Sequence, residues 1–334
     1  MSYSELANPR ATRDVLQRFG HDPKYKLGQN FLVDDNVIAR IIELSGLKNA
    51  DAKELPTVLE IGPGIGTLSA ALLKYAHVIA VEMDRDLPAV LAETTALNGE
   101  RFELISGDAL KVGRKDIEAA CRARGFELPH MLVSNLPYQI AATVILDWFE
   151  RFEFLDTAVV MVQSEVADRI AAELGSKDYA AYTVKLRMHA RVVDRFQVSS
   201  RCFMPAPRVE SAVIRLERAM TCADRELIAA ASRVADAAFA QRRKNIRNSM
   251  RSSFDKGLVD ELLARCGIEP TGDTVFAPFD GRDRARRDAH GRALSRARAR
   301  VARARTGGPP VSGQPTDKRR KRGGSTRADA APSS

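Results

Sequence analysis

Thr57-Val-Leu-Glu-Ile61-Gly62-Pro-Gly-Ile-Gly66-Thr67-Leu-Ser-Ala-Ala-Leu-Leu-Lys74 reads as a strand, a tight turn and a helix in immediate succession. The apolar run Thr57 to Ile61 is a buried strand, and the G-x-G-x-G turn places Gly62, Gly64 and Gly66 before a helix over Thr67 to Lys74. Glycines let the backbone come close to a ligand, and the helix that follows offers free N–H groups, so the three pieces form a nucleotide-binding unit. A dinucleotide dehydrogenase would share it. Outward from this unit, His77 to Glu82, Phe102 to Ser106, Met131 to Ser134 and Ala158 to Val162 are strands, and Leu87 to Thr94, Ile140 to Glu150 and Glu165 to Glu173 are helices. Such alternation predicts a mostly parallel α/β sheet. Ahead of it, Val37, Ile38, Ile41, Ile42 and Leu44 mark an amphipathic helix from Asp34 to Leu47, with Asp34 or Asp35 as N-cap. Beyond it, Arg191 to Val198 and Ser211 to Glu217 flank the proline-rich Phe203 to Val209 with no helix signal between, which predicts an antiparallel edge strand. From Asp224 the pattern is helical only, over Leu227 to Phe239, Arg243 to Phe254 and Leu258 to Cys266, closed by Gly267.

The chain has 334 residues, about twice a usual single domain. With 45% hydrophobic and 28% charged residues it has ample material for a core, which excludes wholesale disorder and a disulfide scaffold. No apolar run is long enough to span a membrane, and Met1 to Arg10 lacks the apolar segment of a signal peptide, so a soluble cytoplasmic protein is expected. Cys121, Cys202, Cys222 and Cys266 are far apart and the five histidines are scattered, which predicts free thiols and no metal site. The net charge of +9 is unevenly placed. Residues 281–334 hold 16 Lys and Arg against four Asp and no Glu, +12, leaving −3 for residues 1–280. This segment, nearly free of large apolar residues after Leu294, is expected to be a disordered basic tail.

Glu82 ends its strand 20 residues after Gly62, where an acid accepts hydrogen bonds from a ribose diol. Asp108 follows the third strand of the unit, and Asn135-Leu136-Pro137-Tyr138 follows the fourth. Oxidoreductases have no use for that tetrapeptide, but chemistry on an adenine does. The exocyclic amine of adenine delocalises its lone pair into the ring and is a poor nucleophile. Acceptors aimed at its N–H groups favour tetrahedral geometry and stabilise the developing positive charge. The Asn135 side-chain carbonyl and the Leu136 backbone carbonyl are candidates for those acceptors. Pro137 keeps Leu136 extended, and Tyr138 offers a flat face for a flipped base. The transferred group would come from the sulfonium of S-adenosylmethionine, where displacement at methyl needs alignment more than acid–base help. No Cys lies in this loop, which disfavours a covalent cytosine C5 mechanism.

Several blocks together resemble the ribosomal RNA adenine N6,N6-dimethyltransferases. They are Lys26-Leu-Gly-Gln-Asn-Phe-Leu32, Glu60-Ile-Gly-Pro-Gly-Ile-Gly66, Val81-Glu82, Gly107-Asp108-Ala109, Asn135-Leu-Pro-Tyr138, Phe203 to Val213 and Phe239-Ala-Gln-Arg-Arg-Lys-Asn-Ile-Arg-Asn248. The resemblance runs from about Asn8 to about Gly272. It implies a Rossmann-like class I methyltransferase domain over residues 1–220, a small helical RNA-binding domain over 221–280, and a tail on which the family is silent. It further implies that Asn30 and Leu32 contact the cofactor, Gly62 lines the turn, Glu82 binds the ribose, Asp108 reads the cofactor adenine, and Asn135 lies between cofactor and target base. Members of the family dimethylate two adjacent adenines in the 3′-terminal hairpin loop of small-subunit rRNA, late in assembly of the 30S subunit, and this chain is expected to do so as a monomer. Gln139, Arg208 and Glu210 depart mildly from the family's usual Asn, Lys and Asp.

Arg242, Arg243, Lys244, Arg247 and Arg251 form a basic cluster, which is either a solvated face or a phosphate contact. Trp148, Phe149, Phe152 and Phe154 are assigned to the core, and Tyr179 and Tyr182 to packing. Two other functions share these motifs: methylation of a large-subunit rRNA adenine, as in macrolide resistance, and a non-catalytic assembly or transcription factor on the same fold. Leu136, where the resistance enzymes commonly have Ile, and the Phe239 to Asn248 block disfavour the first. Intact Gly62, Glu82, Asp108 and Asn135 disfavour the second.

Overall fold

The computed structural model describes residues 2–24, 27–50, 54–219, 224–241 and 244–270. Helix α1 (Pro9–Arg18) starts at Asn8, whose side chain accepts from the Ala11 amide, and has proline at its first position. The two-residue strand β1 (Phe31–Leu32) leads into α2 (Asp35–Ser45). Asp34 is the N-cap of α2, and Asp35 instead accepts the amides of Tyr3 and Ser4, tying down the chain's start.

The central unit follows as β2 (Thr57–Ile61), α3 (Thr67–Leu72), β3 (His77–Glu82), α4 (Leu87–Thr94), β4 (Phe102–Ser106), α5 (Arg114–Arg124), β5 (Met131–Asn135), α6 (Ala141–Arg151), β6 (Thr157–Gln163), α7 (Ser164–Ala171), α8 (Ala181–His189), β7 (Ala190–Val198), the short β8 (Phe203–Met204) and β9 (Ser211–Arg218). Seven of these strands form one sheet in the order β4-β3-β2-β5-β6-β9-β7. All its pairings are parallel except those of β9, which runs against both β6 and β7. The expected antiparallel pair is therefore present at one edge, and the reversed strand sits one place inside it. The crossover through α7 and α8 carries the chain past the open side of β6, leaving a gap one strand wide that β9 fills on its return.

The inner strands β2, β3, β5, β6 and β9 are buried on both faces, as a covered sheet requires, whereas the edge strands β4 and β7 are partly exposed. Val58, Val78 and Ala80 join Ile38, Ile41, Ile42 and Leu68 on one side. Leu59, Ile61 and Ile79 join Ile145, Trp148, Phe149 and Phe152 on the other, so the aromatic run at the end of α6 and just beyond it is core as expected. Tyr182 packs on this second cluster and donates to the Ala142 carbonyl at 2.8 Å. Arg218, at the end of β9, closes the C-terminus of α6 by donating to the carbonyls of Phe149, Phe152 and Leu155.

Three helices complete the described chain: α9 (Arg225–Phe239), α10 (Ile246–Met250) and α11 (Lys256–Cys266), the last ended by Gly267 in the left-handed conformation. They share a small apolar cluster of Ala237, Ala238, Met250, Val259 and Leu263. Helix α10 is much shorter than the predicted Arg243 to Phe254. Asn245 caps it by accepting the Asn248 amide, the Ser249 hydroxyl ties it to α9 by donating to the Ala237 carbonyl, and the Ser252 hydroxyl donates to the Ser249 carbonyl at its end, competing with further helix. Arg242, Arg243 and the basic tail lie outside the described residues. No helix among the described residues is long and apolar enough to cross a membrane.

Candidate active site

Strand order reverses between β2 and β5, and there the two strands part. Their ladder stops at Leu59 and Leu132; beyond it the Ser134 hydroxyl substitutes, donating to the Ile61 carbonyl at 2.6 Å and accepting its amide at 3.3 Å. A ligand crevice is expected outside the carboxyl ends of strands at such a point. A pocket opens there, lined by residues from the segment 27–32, the turn after β2, the end of β3, the loop after β4 and the segment 135–140.

The turn can exist only with glycine. Gly62 and Gly64 have φ of +65° and +60°, and a Cβ on them would lie 3.1 Å from Pro137 Cγ and 3.1 Å from the Phe31 ring. The turn is thus clamped between the two flanks of the pocket, with its backbone bare toward the opening. Gly66 has another task. It lies outside the pocket lining, has φ of +83°, and a Cβ there would stand 2.8 Å from Thr94 Oγ1 of α4.

Glu82 is buried, and its carboxylate accepts the amides of Asp84 at 2.9 Å and Gly64 at 3.3 Å, one on each oxygen. Burial pushes its pKa up, against these two hydrogen bonds. Each oxygen keeps a lone pair for a further donor. Asp108 sits at the outer lip, its Oδ1 accepting the Leu110 amide, and Trp148 braces this loop by donating to the Ala109 carbonyl at 3.1 Å. Leu32 forms part of the wall.

Asn135 ends β5. Its amide nitrogen donates to the Asn30 carbonyl at 3.3 Å, and the Asn30 amide donates in turn to the Gly28 carbonyl. Among the described residues nothing donates to Asn135 Oδ1 or to the Leu136 carbonyl, so two acceptors stand open on one side of the pocket. Pro137 packs on the glycine turn, and the Tyr138 hydroxyl meets the fully buried Ser211 Oγ at 2.6 Å. Burial raises the Tyr138 pKa, so the phenol stays neutral.

The pocket therefore gathers Asn30, Leu32, Gly62, Gly64, Glu82, Asp108, Asn135, Leu136, Pro137 and Tyr138, and leaves Gly66 in the packing behind it. Two further residues belong to the site. Ser211 fixes Tyr138 from the start of β9. Glu60 lies in the lining with its pKa raised to about 8 by burial, partly opposed by the bond that Ser69 donates to it at 2.6 Å. A buried acid at an alternating strand position was a findable signal; Ser211 stands inside the quoted Phe203 to Val213 block without any chemistry of its own to mark it.

Of the basic cluster, Arg247 and Arg251 are described in full, and both donate to Asp260 of α11, Arg247 through two bonds of 2.7 Å. These pairs hold the Asp260 carboxyl down at about 2.

A sheet in this order, with a glycine turn, an acid at the end of the next strand and a pocket where the order reverses, is that of a Rossmann-like class I methyltransferase. The sequence matches the family described as ribosomal RNA adenine dimethylase over residues 20–273, and the chain belongs to that family of rRNA-modifying enzymes. The ribosomal RNA small subunit methyltransferase A of Nocardia farcinica is 38% identical over 281 residues, covering 81% of this chain and 92% of the relative. That of Rhodospirillum rubrum is 36% identical, covering 80% and 88%. Among solved structures, the 23S rRNA methyltransferase ErmE superposes with a TM-score of 0.52 at 25% identity, covering 74% of this chain and 94% of that one. A dimethyladenosine transferase from Plasmodium falciparum, at 23% identity and a TM-score of 0.53, shares the fold and covers 70% and 78%.

Proposed function

We propose that this enzyme transfers methyl groups from S-adenosylmethionine to N6 of two adjacent adenines in the 3′-terminal hairpin loop of small-subunit rRNA, within the 30S particle or its precursor. The observation that carries the reading is the pair of open acceptors, Asn135 Oδ1 and the Leu136 carbonyl, in the same pocket as the glycine turn and Glu82.

The residues fit the cofactor. Gly62 and Gly64 bring the turn's backbone to the wall of the pocket, the spare lone pairs of Glu82 suit the ribose hydroxyls, Asp108 suits the adenine amine, and Asn30 and Leu32 complete the wall. When bound, the cofactor supplies a methyl on a positively charged sulfur. The chain's own work is alignment: the Asn135 and Leu136 carbonyls accept the two N6–H bonds and turn the lone pair toward the methyl, while Tyr138 stacks on the base. Residues 1–220 act as the transfer domain and 221–280 as the RNA-positioning domain, through Arg242, Arg243, Lys244 and the partly compensated Arg247 and Arg251. The tail of 281–334 is a non-specific tether, and the protein works as a cytoplasmic monomer on the assembling subunit.

The relatives at 36–38% identity carry the small-subunit name, which favours that target over the large-subunit target of ErmE. Incubation with unmethylated 30S subunits and, separately, with naked 23S rRNA, followed by primer extension, separates the two. Dimethyladenine stops confined to the 3′-terminal hairpin of 16S rRNA are expected. Stops only on 23S rRNA establish the second reading, and the absence of both removes this one.

A further inference from the structure

Asp84 has no place in the chemistry above, yet it is one of the most heavily bonded carboxylates in the molecule. Its side chain is 2% exposed. Oδ1 accepts from Lys24 Nζ at 2.5 Å and from the Asp86 amide at 3.1 Å, and Oδ2 accepts from Gln29 Nε2 at 2.7 Å. Burial works against the charge, but the bonds from Lys24, the Asp86 amide and Gln29 outweigh it and hold the carboxyl below its ordinary range. Lys24 also reaches the exposed Asp86 at 2.5 Å. Gln29 Oε1 accepts the Lys24 amide at 2.8 Å and lies 3.3 Å from the buried His21 Nε2.

These bonds join two parts of the pocket that are far apart in sequence. On one side, the Asp84 amide donates to Glu82 Oε1. On the other, Gln29 precedes Asn30, whose carbonyl receives the Asn135 amide. A continuous path therefore runs from Glu82 through Asp84, Gln29 and Asn30 to Asn135. A side-chain amide fixed through its nitrogen presents its oxygen in a set direction, and a first layer of functional groups is only as well placed as the layer that holds it.

We propose that Asp84 is a positioning residue that locks the 27–32 segment across the pocket through Lys24 and Gln29, so that the group holding the ribose and the amide facing the adenine are set by one network. The inference rests on the function proposed above for Glu82 and Asn135. It assigns no contact with cofactor or RNA to Asp84 itself.

Two variants test it in the full-length protein. Asp84→Asn removes the charge and keeps the shape, and Lys24→Met removes one arm from a partly exposed position. Without cofactor, hydrogen exchange of the peptide covering residues 14–31 should accelerate in both, with strands β2 to β6 unchanged. With cofactor, affinity by calorimetry should fall about tenfold or more for Asp84→Asn, the scale of losing a charged hydrogen bond. kcat on 30S subunits should fall as well, because Asn135 loses its fixed direction, and Lys24→Arg should restore both constants. If Lys24→Met leaves exchange, cofactor affinity and kcat at wild-type values, the network does not position the site. If the variants lower only the melting temperature, Asp84 is structural and the inference is overturned. A wild-type protein that methylates no RNA would instead refute the functional reading, and the exchange result would still report whether Asp84 holds the segment.

Discussion

The role proposed for Tyr138 gives its ring and its hydroxyl different ends, and the two can be separated. The hydroxyl is spent on Ser211, so Tyr138→Phe should keep the stacking face and most of the activity. Tyr138→Ala removes the platform, worth about 1–3 kcal/mol per stacked base, and should lose roughly tenfold to a hundredfold in kcat/KM. Equal rates for the two variants would take the ring out of base recognition. Glu60 gives a second test at a single side chain. Its folded pKa of about 8 exceeds the ordinary 4.5, so the native state holds a proton the unfolded chain releases. The sign follows: the folded state loses ground as pH rises from about 4.5 to about 8, at a slope of at most roughly 1.4 kcal/mol per unit, and no further above. Glu60→Gln keeps a hydrogen-bonding group with nothing to ionise. Melting curves between pH 5 and 9 should show the wild type falling relative to the variant, and parallel profiles would mean that Glu60 titrates normally.

Turns and short elements divide into those whose sequence announces them and those whose meaning lies elsewhere in the chain. Gly66 and Gly125 make the contrast measurable. Both have positive φ, but a Cβ at Gly125 meets open space while one at Gly66 meets Thr94. Gly125→Ala should cost only the left-handed backbone penalty, about 1–2 kcal/mol, and Gly66→Ala that penalty plus the displacement of α4 from α3. Urea midpoints should rank wild type above Gly125→Ala above Gly66→Ala. The β2-turn-α3 unit, the alternating strands and the caps at Asp34 and Gly267 were legible because their signals are local. Helix α1 carries a local signal in its Asn8-Pro9 start. Helices α5, rich in Arg and Lys, and α8, with no clear apolar stripe, carry no such local signal. Pairing of Phe31–Leu32 with Phe203–Met204 could not be read, since two residues hold no period and the partner lies some 170 positions away. For the same reason the ties of Arg247 and Arg251 to Asp260 were invisible: the cations stand in one helix and the carboxylate in the next. Within the site, what the motifs revealed were the groups facing the pocket; Ser211 and Asp84, which are bonded to those groups or to their neighbours, needed the fold.

Across the whole chain the charge is split between a body of −3 and a terminal segment of +12. A body of that sign gains nothing from approaching a polyanion, whereas the basic segment can capture RNA first and raise its local concentration. Each phosphate neutralised adds roughly 0.7–0.9 to the slope of log K against log salt. Removal of residues 281–334 should therefore flatten the salt dependence of 30S binding and weaken it most at low ionic strength, while the same adenines are methylated. An unaltered slope would dismiss the tether, and a changed set of adenines would mean that the tail selects sites.

The inward place of β9 has a consequence for how the molecule is made. Gly62, Glu82, Asp108 and Asn135 are all translated before residue 136, and their strands pair among themselves in the order β4-β3-β2-β5. Ser211 comes some 75 residues later, at the head of the strand that must slot between β6 and β7. Since chains begin to fold from the N-terminal side as they emerge, the half of the pocket assigned to the cofactor can form on the ribosome well before Tyr138 finds its anchor.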